Sequence, residues 1–200
     1  MSLIETERLL LRPFRESDAA DVLEYLSGPL PHCFVNLKLN SLEESRAEVV
    51  KRSADTEYYF AIVLKESGKV IGEIDAQPSS YEPPVLCSKV LASKPMPDTF
   101  TPSIILNAAY HANGYAYEAT YAFYDYLFMQ KGARRIYTYV DDCNARSRHL
   151  CEIMGLRREG VFREFFSFVD DAEGNPVYED TDQYAILKQE WTEKQRKVRT

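Results

Sequence analysis

Ile104-Ile-Leu-Asn-Ala-Ala-Tyr-His-Ala-Asn-Gly-Tyr-Ala-Tyr-Glu118 begins as an apolar, β-branched run and ends inside a helix. Strand character is expected from Phe100 to Leu106. Ala116, Ala119, Thr120, Phe123 and Leu127 then recur at helical spacing, which predicts a helix over about residues 115–131. Gly132 stands just beyond its end, where glycine is a favoured stop. Between strand and helix lies a loop of small residues centred on Gly114. At a helix start several backbone N–H groups lack intrahelical partners, and the helix dipole adds partial positive charge. A phosphate fits there without any lysine or arginine. Gly114 lets the backbone come close, and Ala112 and Ala116 keep side chains out of the way. Two other readings stay open. Asn113-Gly114 suits a two-residue hairpin turn, which would need a strand after it, and Gly114 suits a plain helix start.

Working outward, Arg8-Leu9-Leu10-Leu11-Arg12 reads as a strand ended by Pro13. Ser17 is the expected N-cap of a first helix, with Asp18 in its first turn and Val22, Leu23 and Leu26 on one face. Ser41 through Glu44 has the form of a capping box and should start a second helix. Tyr58–Leu64 and Val70–Asp75 flank a short turn containing Gly68, which predicts a hairpin. Residues 77–99 are rich in Pro and Ser and read as a long loop near a functional cleft. Beyond the central helix, Arg135–Val140 is a strand, and Asn144 begins a short helix that stops at Gly155. Val161–Val169 and Tyr178–Leu187 are strands around the polar turn 170–176. The basic tail from Lys194 to Arg199 is expected to be frayed and solvated. The order β-α-α-β-β-β-α-β-α-β-β implies an α/β (α+β) fold. A mixed sheet should carry helices on both faces, within a single domain spanning 1–200.

The formal net charge of −7 argues against general nucleic-acid binding, which needs a positive footprint. It is compatible with cationic partners such as amines, although solubility alone explains it. Cys33, Cys87, Cys143 and Cys151 form no C-x-x-C pair and show no zinc spacing, so no metal is expected. Free thiols point to a reducing cytoplasm. Charged Glu5, Glu7 and Arg8 follow the start at once, unlike a signal peptide. No apolar run is long enough to cross a membrane as a helix. Neither the ATP-binding nor the dinucleotide-binding glycine motif occurs.

The motifs together resemble the GNAT N-acetyltransferase superfamily. His111-Ala-Asn-Gly114-Tyr-Ala116 is similar to its acetyl-CoA signature Gln/Arg-x-x-Gly-x-Gly/Ala, with His111 in place of Gln or Arg. Ile4-Glu-Thr-Glu-Arg-Leu-Leu-Leu-Arg-Pro13 resembles the opening of the branch that acetylates the N-termini of ribosomal proteins. Gly114-Tyr-Ala-Tyr-Glu-Ala119 and Asn144-Ala-Arg-Ser147 resemble further segments of that branch. So do Gly155-Leu-Arg-Arg-Glu-Gly160, where Leu156 replaces the usual Phe, and Asp180-Thr-Asp-Gln-Tyr184 with Glu190-Trp191 after it. These motifs occur in the family's order along nearly the whole chain.

The resemblance implies a GNAT-like domain whose central parallel strand pair splays, with acetyl-CoA as cosubstrate in the gap. Backbone groups at Ile104 and Leu106 should meet the acetyl-pantetheine arm. His111, Ala112, Asn113, Gly114, Tyr115 and Ala116 should hold the pyrophosphate. Asn144 should bond the pantetheine, supported by Ser147, while Asn144 also suits a helix N-cap. The reaction implied is direct attack by a primary amine, a protein N-terminus or a small amine, in a ternary complex. An amine attacks only when neutral, and a lysine amine has a pKa of about 10.4. A proton acceptor, or a water chain, is therefore needed. Asp98, Glu73 and Asp141 are the candidate bases, although such residues are more often solvated acids at strand ends than catalysts. The Leu106 N–H is the candidate donor to the thioester oxygen. Many family members place a tyrosine seven residues after the asparagine as the acid. Cys151 stands there, and its helical spacing with Ser147 and Met154 also suits a buried core residue. Tyr139 and Phe165 are expected near the acceptor. The alternative function is a coenzyme-A-binding regulatory module with little catalysis. A homodimer is carried as a further expectation.

Overall fold

Strands in this chain are laid down by β-rich apolar runs, and helices by amphipathic segments, two of them with a side-chain N-cap. The computed structural model describes residues 3–78 and 98–198. Its strands are β1 (Ile4–Glu5), β2 (Leu9–Arg12), β3 (Tyr59–Leu64), β4 (Val70–Pro78), β5 (Thr99–Leu106), β6 (Arg135–Asp141), β7 (Arg157–Asp170) and β8 (Pro176–Leu187). The α-helices are α1 (Ala19–Ser27), α2 (Leu42–Ser53), α3 (Tyr115–Met129), α4 (Ala145–Met154) and α5 (Lys188–Val198). The strands form one sheet in the order β1-β2-β3-β4-β5-β6-β8-β7. Every neighbouring pair is antiparallel except β5–β6, which is parallel.

Each face of the sheet has its own core. On one face Phe123, Leu127 and Phe128 of α3, Met154 of α4 and Trp191 of α5 pack with Leu11, Phe60, Ile74, Phe100 and Ile136. On the other, Val22, Tyr25 and Leu26 of α1 and Val49 of α2 pack with Ala61, Val63, Val70 and Ile105. The strands between are buried on both sides, so they read as continuous apolar runs rather than alternating ones. The expected mixed sheet with helices on both faces is what forms.

The local signals mostly produced the expected elements. Ser41 Oγ accepts the Glu44 N–H at 3.2 Å, and the Glu44 carboxylate accepts the N–H of Asn40, one residue before the cap, at 2.8 Å. Three readings need correction. Ser17 is not the cap of α1. A 3-10 turn over Glu16–Asp18 precedes the helix, and Asp18 accepts the Arg15 N–H at 2.8 Å while forming a buried ion pair with Arg12. The pair β1–β2 begins the sheet earlier than expected, because two residues are too short to show periodicity. The tail is not frayed through Val198. It continues as α5, where Trp191 is fully buried and Lys194 Nζ donates to the Ile153 carbonyl at 2.7 Å. Most of the loop read at 77–99 lies outside the described residues.

Candidate active site

The site begins where β5 hands over to α3. Gly114 takes φ +79° and Ala112 φ +62°, both left-handed. Backbone of this kind gathers successive N–H groups into a concavity suited to anions. A helix follows Gly114 directly, so the hairpin-turn reading is excluded. Glu118 N–H donates to the Gly114 carbonyl at 3.0 Å. The N–H groups of Tyr115, Ala116 and Tyr117 precede that first bond and have no carbonyl one turn back. Asn113 turns its side chain onto the loop, donating to the His111 carbonyl at 3.0 Å.

An ion pair on one flank and a histidine–arginine hydrogen bond on the other brace this loop. Glu118 would put negative charge beside an anion, but Arg8 holds its carboxylate at 2.6 Å and Thr6 Oγ donates to it at 2.6 Å. Partial burial alone would raise its pKa, yet the Thr6 and Arg8 donors prevail and hold it below the usual carboxylate value. Arg8 also donates to the Asn113 carbonyl at 2.9 Å and lies 4.4 Å from the centre of the Tyr115 ring. On the other flank His111 lies between Leu106 and Arg146. Its Nε2 is 2.9 Å from the Leu106 carbonyl, and its Nδ1 is 2.8 Å from Arg146 Nη1. Arginine only donates, so Nδ1 accepts and Nε2–H is the donor to Leu106. His111 therefore links the β5 end, the loop and the start of α4.

The β5–β6 ladder is registered only at Thr99↔Arg135 and Phe100↔Ile136, and the strands part beyond it. The Asn107 N–H donates to Ile71 of β4 at 2.8 Å. In antiparallel pairing the bonded positions alternate, so Ile105 and Ser103 also face β4. Ile104 and Leu106 turn their backbone groups the other way, into the gap. Gly72 permits this arrangement, because a Cβ there would collide with the Ile105 carbonyl.

A cavity of about 100 Å³ opens where the strands part. Ile104, Thr120, Tyr124, Leu150 and Cys151 wall it on the α3–α4 side, with Asn144 and Ser147 at the head of α4. Cys33, Phe34, Ser103, Tyr139 and Asp141 also line it. Asn144 caps α4, its Oδ1 accepting the Ser147 N–H at 3.1 Å, which leaves its amide N–H₂ for a ligand. A wider open groove of about 760 Å³ runs along α3 from Leu3 to Gln195 and touches Gly114 at one end. The smaller cavity is the one that Ile104 of the parted strand lines.

The acids separate clearly. Asp141 is buried and lines the cavity. Asp98 does not line it. It sits at the closed end of the strand pair, where its carboxylate holds Arg134 at 3.1 Å and its carbonyl accepts the Arg134 N–H at 2.7 Å. These contacts tie the start of β5 to Arg134, just ahead of β6. Glu73 is also removed from the cleft. It is sealed under α1 and α2, accepting from Tyr25 at 2.6 Å and Tyr59 at 2.8 Å, and ion-paired with Arg52 at 3.2 Å. Sequence reasoning missed Asp75, which accepts a hydrogen bond from cavity-lining Ser103 and is paired with it across β4–β5. Burial raises the Asp75 pKa against the Ser103 and Gln77 donors. Only strand register brings these residues together, and no local motif encodes that.

Both cavity thiols are difficult to ionise. Burial pushes Cys151 up to about 12, and burial followed by the Asp141 carboxylate pushes Cys33 up to about 12. Cys151 belongs to the core cluster and also touches the cavity, so the structure keeps both of its readings. Phe165 reaches the site through Tyr139, with ring centres 5.9 Å apart.

A helix start thus faces a parted parallel strand pair, with a cavity at the parting. The chain belongs to the acetyltransferase (GNAT) domain family, whose pattern matches residues 8–157. It is 28% identical over 188 residues to the uncharacterized N-acetyltransferase YnaD of Bacillus subtilis (strain 168), covering 94% of this chain and 98% of that one. It is similar to the structure of a GNAT-family acetyltransferase from Bacillus anthracis, with TM-score 0.75 and 26% identity over 94% of this chain and 99% of that one. It shares the fold of ribosomal-protein-S5-alanine acetyltransferase from Vibrio fischeri, with TM-score 0.68 and 17% identity over 96% and 99% of the two chains. The protein is an N-acetyltransferase, and its family uses acetyl-CoA as cosubstrate with amine acceptors. No helix among the described residues is long and apolar enough to cross a membrane.

Proposed function

We propose that residues 1–200 form one acetyl-CoA-dependent N-acetyltransferase domain acting on a primary amine, with a protein N-terminus as one candidate acceptor. The parting of β5 from β6 beside the Gly114 helix start carries this reading. The loop residues His111, Ala112, Asn113, Gly114, Tyr115 and Ala116 hold the diphosphate of the coenzyme, which supplies an activated acetyl thioester. The side chain of Asn144 and the backbone of Ile104 and Leu106 bind its arm, and Ser147 steadies Asn144. The freed Leu106 N–H is the donor to the thioester oxygen. As the amine nitrogen forms the new C–N bond the C–S bond breaks and coenzyme A leaves as its thiolate, and the amine's proton passes to Asp141 or, through Ser103, to Asp75. The protein acts in a reducing cytoplasm. The exposed rings of Phe162, Phe165 and Phe166 on β7 offer the surface on which a homodimer would form.

Transfer is direct, in a ternary complex. A nucleophilic cysteine needs a lowered pKa, and both cavity thiols are shifted the other way. At pH 8 a pKa of about 12 leaves a thiolate fraction over a thousandfold below that of an ordinary thiol, while higher intrinsic nucleophilicity restores roughly fortyfold. Alkylation of Cys33 and Cys151 at pH 8 should therefore run at least about fiftyfold slower than that of free cysteine. Peptide mapping reads each site separately. Fast labelling of either one, or an acetyl-enzyme burst, would reverse the conclusion.

The second reading, a coenzyme-A-binding module with little catalysis, is favoured by one observation. Cys151 offers a weak S–H donor where many relatives carry a tyrosine hydroxyl. Acetyl transfer measured against peptide N-termini, polyamines, aminoglycosides and free amino acids separates the two. Turnover on an amine supports the enzyme. Tight coenzyme binding with no turnover on any acceptor supports the module.

A further inference from the structure

Thr120 lies in the middle of α3 and is 4% exposed. Its hydroxyl oxygen is buried and meets no hydrogen-bond partner. A helical threonine can bond the carbonyl one turn back, which would satisfy it locally. Here that bond is not made, and a buried hydroxyl left unpaired is destabilising. Thr120 is nevertheless one of the residues that wall the cavity, together with Ile104, Asn144 and Ser147. Much of the surrounding wall is apolar, with Ile74, Val140, Leu150 and Met154. Thr120 is six positions after Gly114, about 9 Å along the helix axis. A flexible chain whose diphosphate sits at the helix start spans that distance.

We propose that the Thr120 hydroxyl binds and positions an amide of the pantetheine arm of acetyl-CoA. This rests on the coenzyme reading above. A hydroxyl both donates and accepts, so either end of an amide satisfies it. The orphaned group is then a preformed half of a hydrogen bond whose other half arrives with the ligand.

The test uses coenzyme A itself in calorimetry, with wild type, Thr120→Val and Thr120→Ser, and melting curves without ligand. Valine keeps the shape and removes the hydroxyl. Free Thr120→Val should melt at or above the wild-type temperature, because an unpaired polar group has gone. Its Kd for coenzyme A should rise about tenfold, and Thr120→Ser should recover to within about threefold of wild type. Equal affinity of wild type and Thr120→Val overturns the proposal while leaving the coenzyme reading intact. A Thr120→Val protein that melts several degrees lower also overturns it, since the hydroxyl would then have a partner within the protein. Wild type that fails to bind coenzyme A removes the reading and this inference together.

Discussion

Gly114→Glu should reduce affinity for coenzyme A by more than thirtyfold and lower the melting temperature by only a few degrees. Gly114 has φ +79°, where a side chain costs about 1–2 kcal/mol. Space is not the obstacle, because a Cβ there would approach only Arg8 Nη2, at an ordinary 3.4 Å. At roughly 2–4 °C per kcal/mol for a chain of this size, the strain alone predicts a small thermal change. The effect on the ligand is larger. A carboxylate about 4 Å from a phosphate charge is repelled by roughly 4 kcal/mol at an effective dielectric of 20. Solvent at this exposed loop screens part of that, so about 2–4 kcal/mol is the working figure. Gly114→Ala carries the strain without the charge and should lose far less affinity. Calorimetry on the two variants separates electrostatics from backbone. Wild-type affinity in Gly114→Glu would mean that the diphosphate is held elsewhere.

The loop and its helix were legible because every relevant signal is local. Gly114, the small flanking residues and the helical spacing from Ala116 to Leu127 lie within two dozen residues. The Ser41 cap and the β3–β4 hairpin were readable for the same reason. What escaped was nonlocal. Asp75 meets Ser103 only because β4 and β5 pair in that register. Glu73 was readable as a cleft base or as a solvated strand-end acid, and it is neither: the packing of α1 and α2 buries it, and the Arg52 charge makes that burial tolerable. Asp98 precedes the central strand as expected, yet that strand is parted at its other end, which leaves Asp98 beside Arg134. Arg8 and Glu118 brace the loop from positions 110 residues apart. The family motifs contain both residues without showing that they touch.

Trp191→Ala should destabilise the protein by about 3–5 kcal/mol, the usual range for deleting a large buried aromatic. For a chain of this size that lowers the melting temperature by about 6–20 °C. Trp191 is fully buried, with ring centres 4.8 Å from Tyr121, 6.1 Å from Tyr124 and 5.8 Å from Phe128. Its indole N–H donates to Asp125 at 3.2 Å. All four partners belong to α3, so α5 grips the outer side of the helix whose start holds the loop. Tyr124 also walls the cavity, so a lost indole should reach the site through this one helix. The KM for acetyl-CoA should accordingly rise in Trp191→Ala below its melting transition. Trp191→Phe keeps most of the ring packing and loses the Asp125 bond, so it should fall between wild type and alanine. A melting temperature within about 2 °C of wild type would show that α5 is loosely held and that the basic tail is the frayed end its composition suggests.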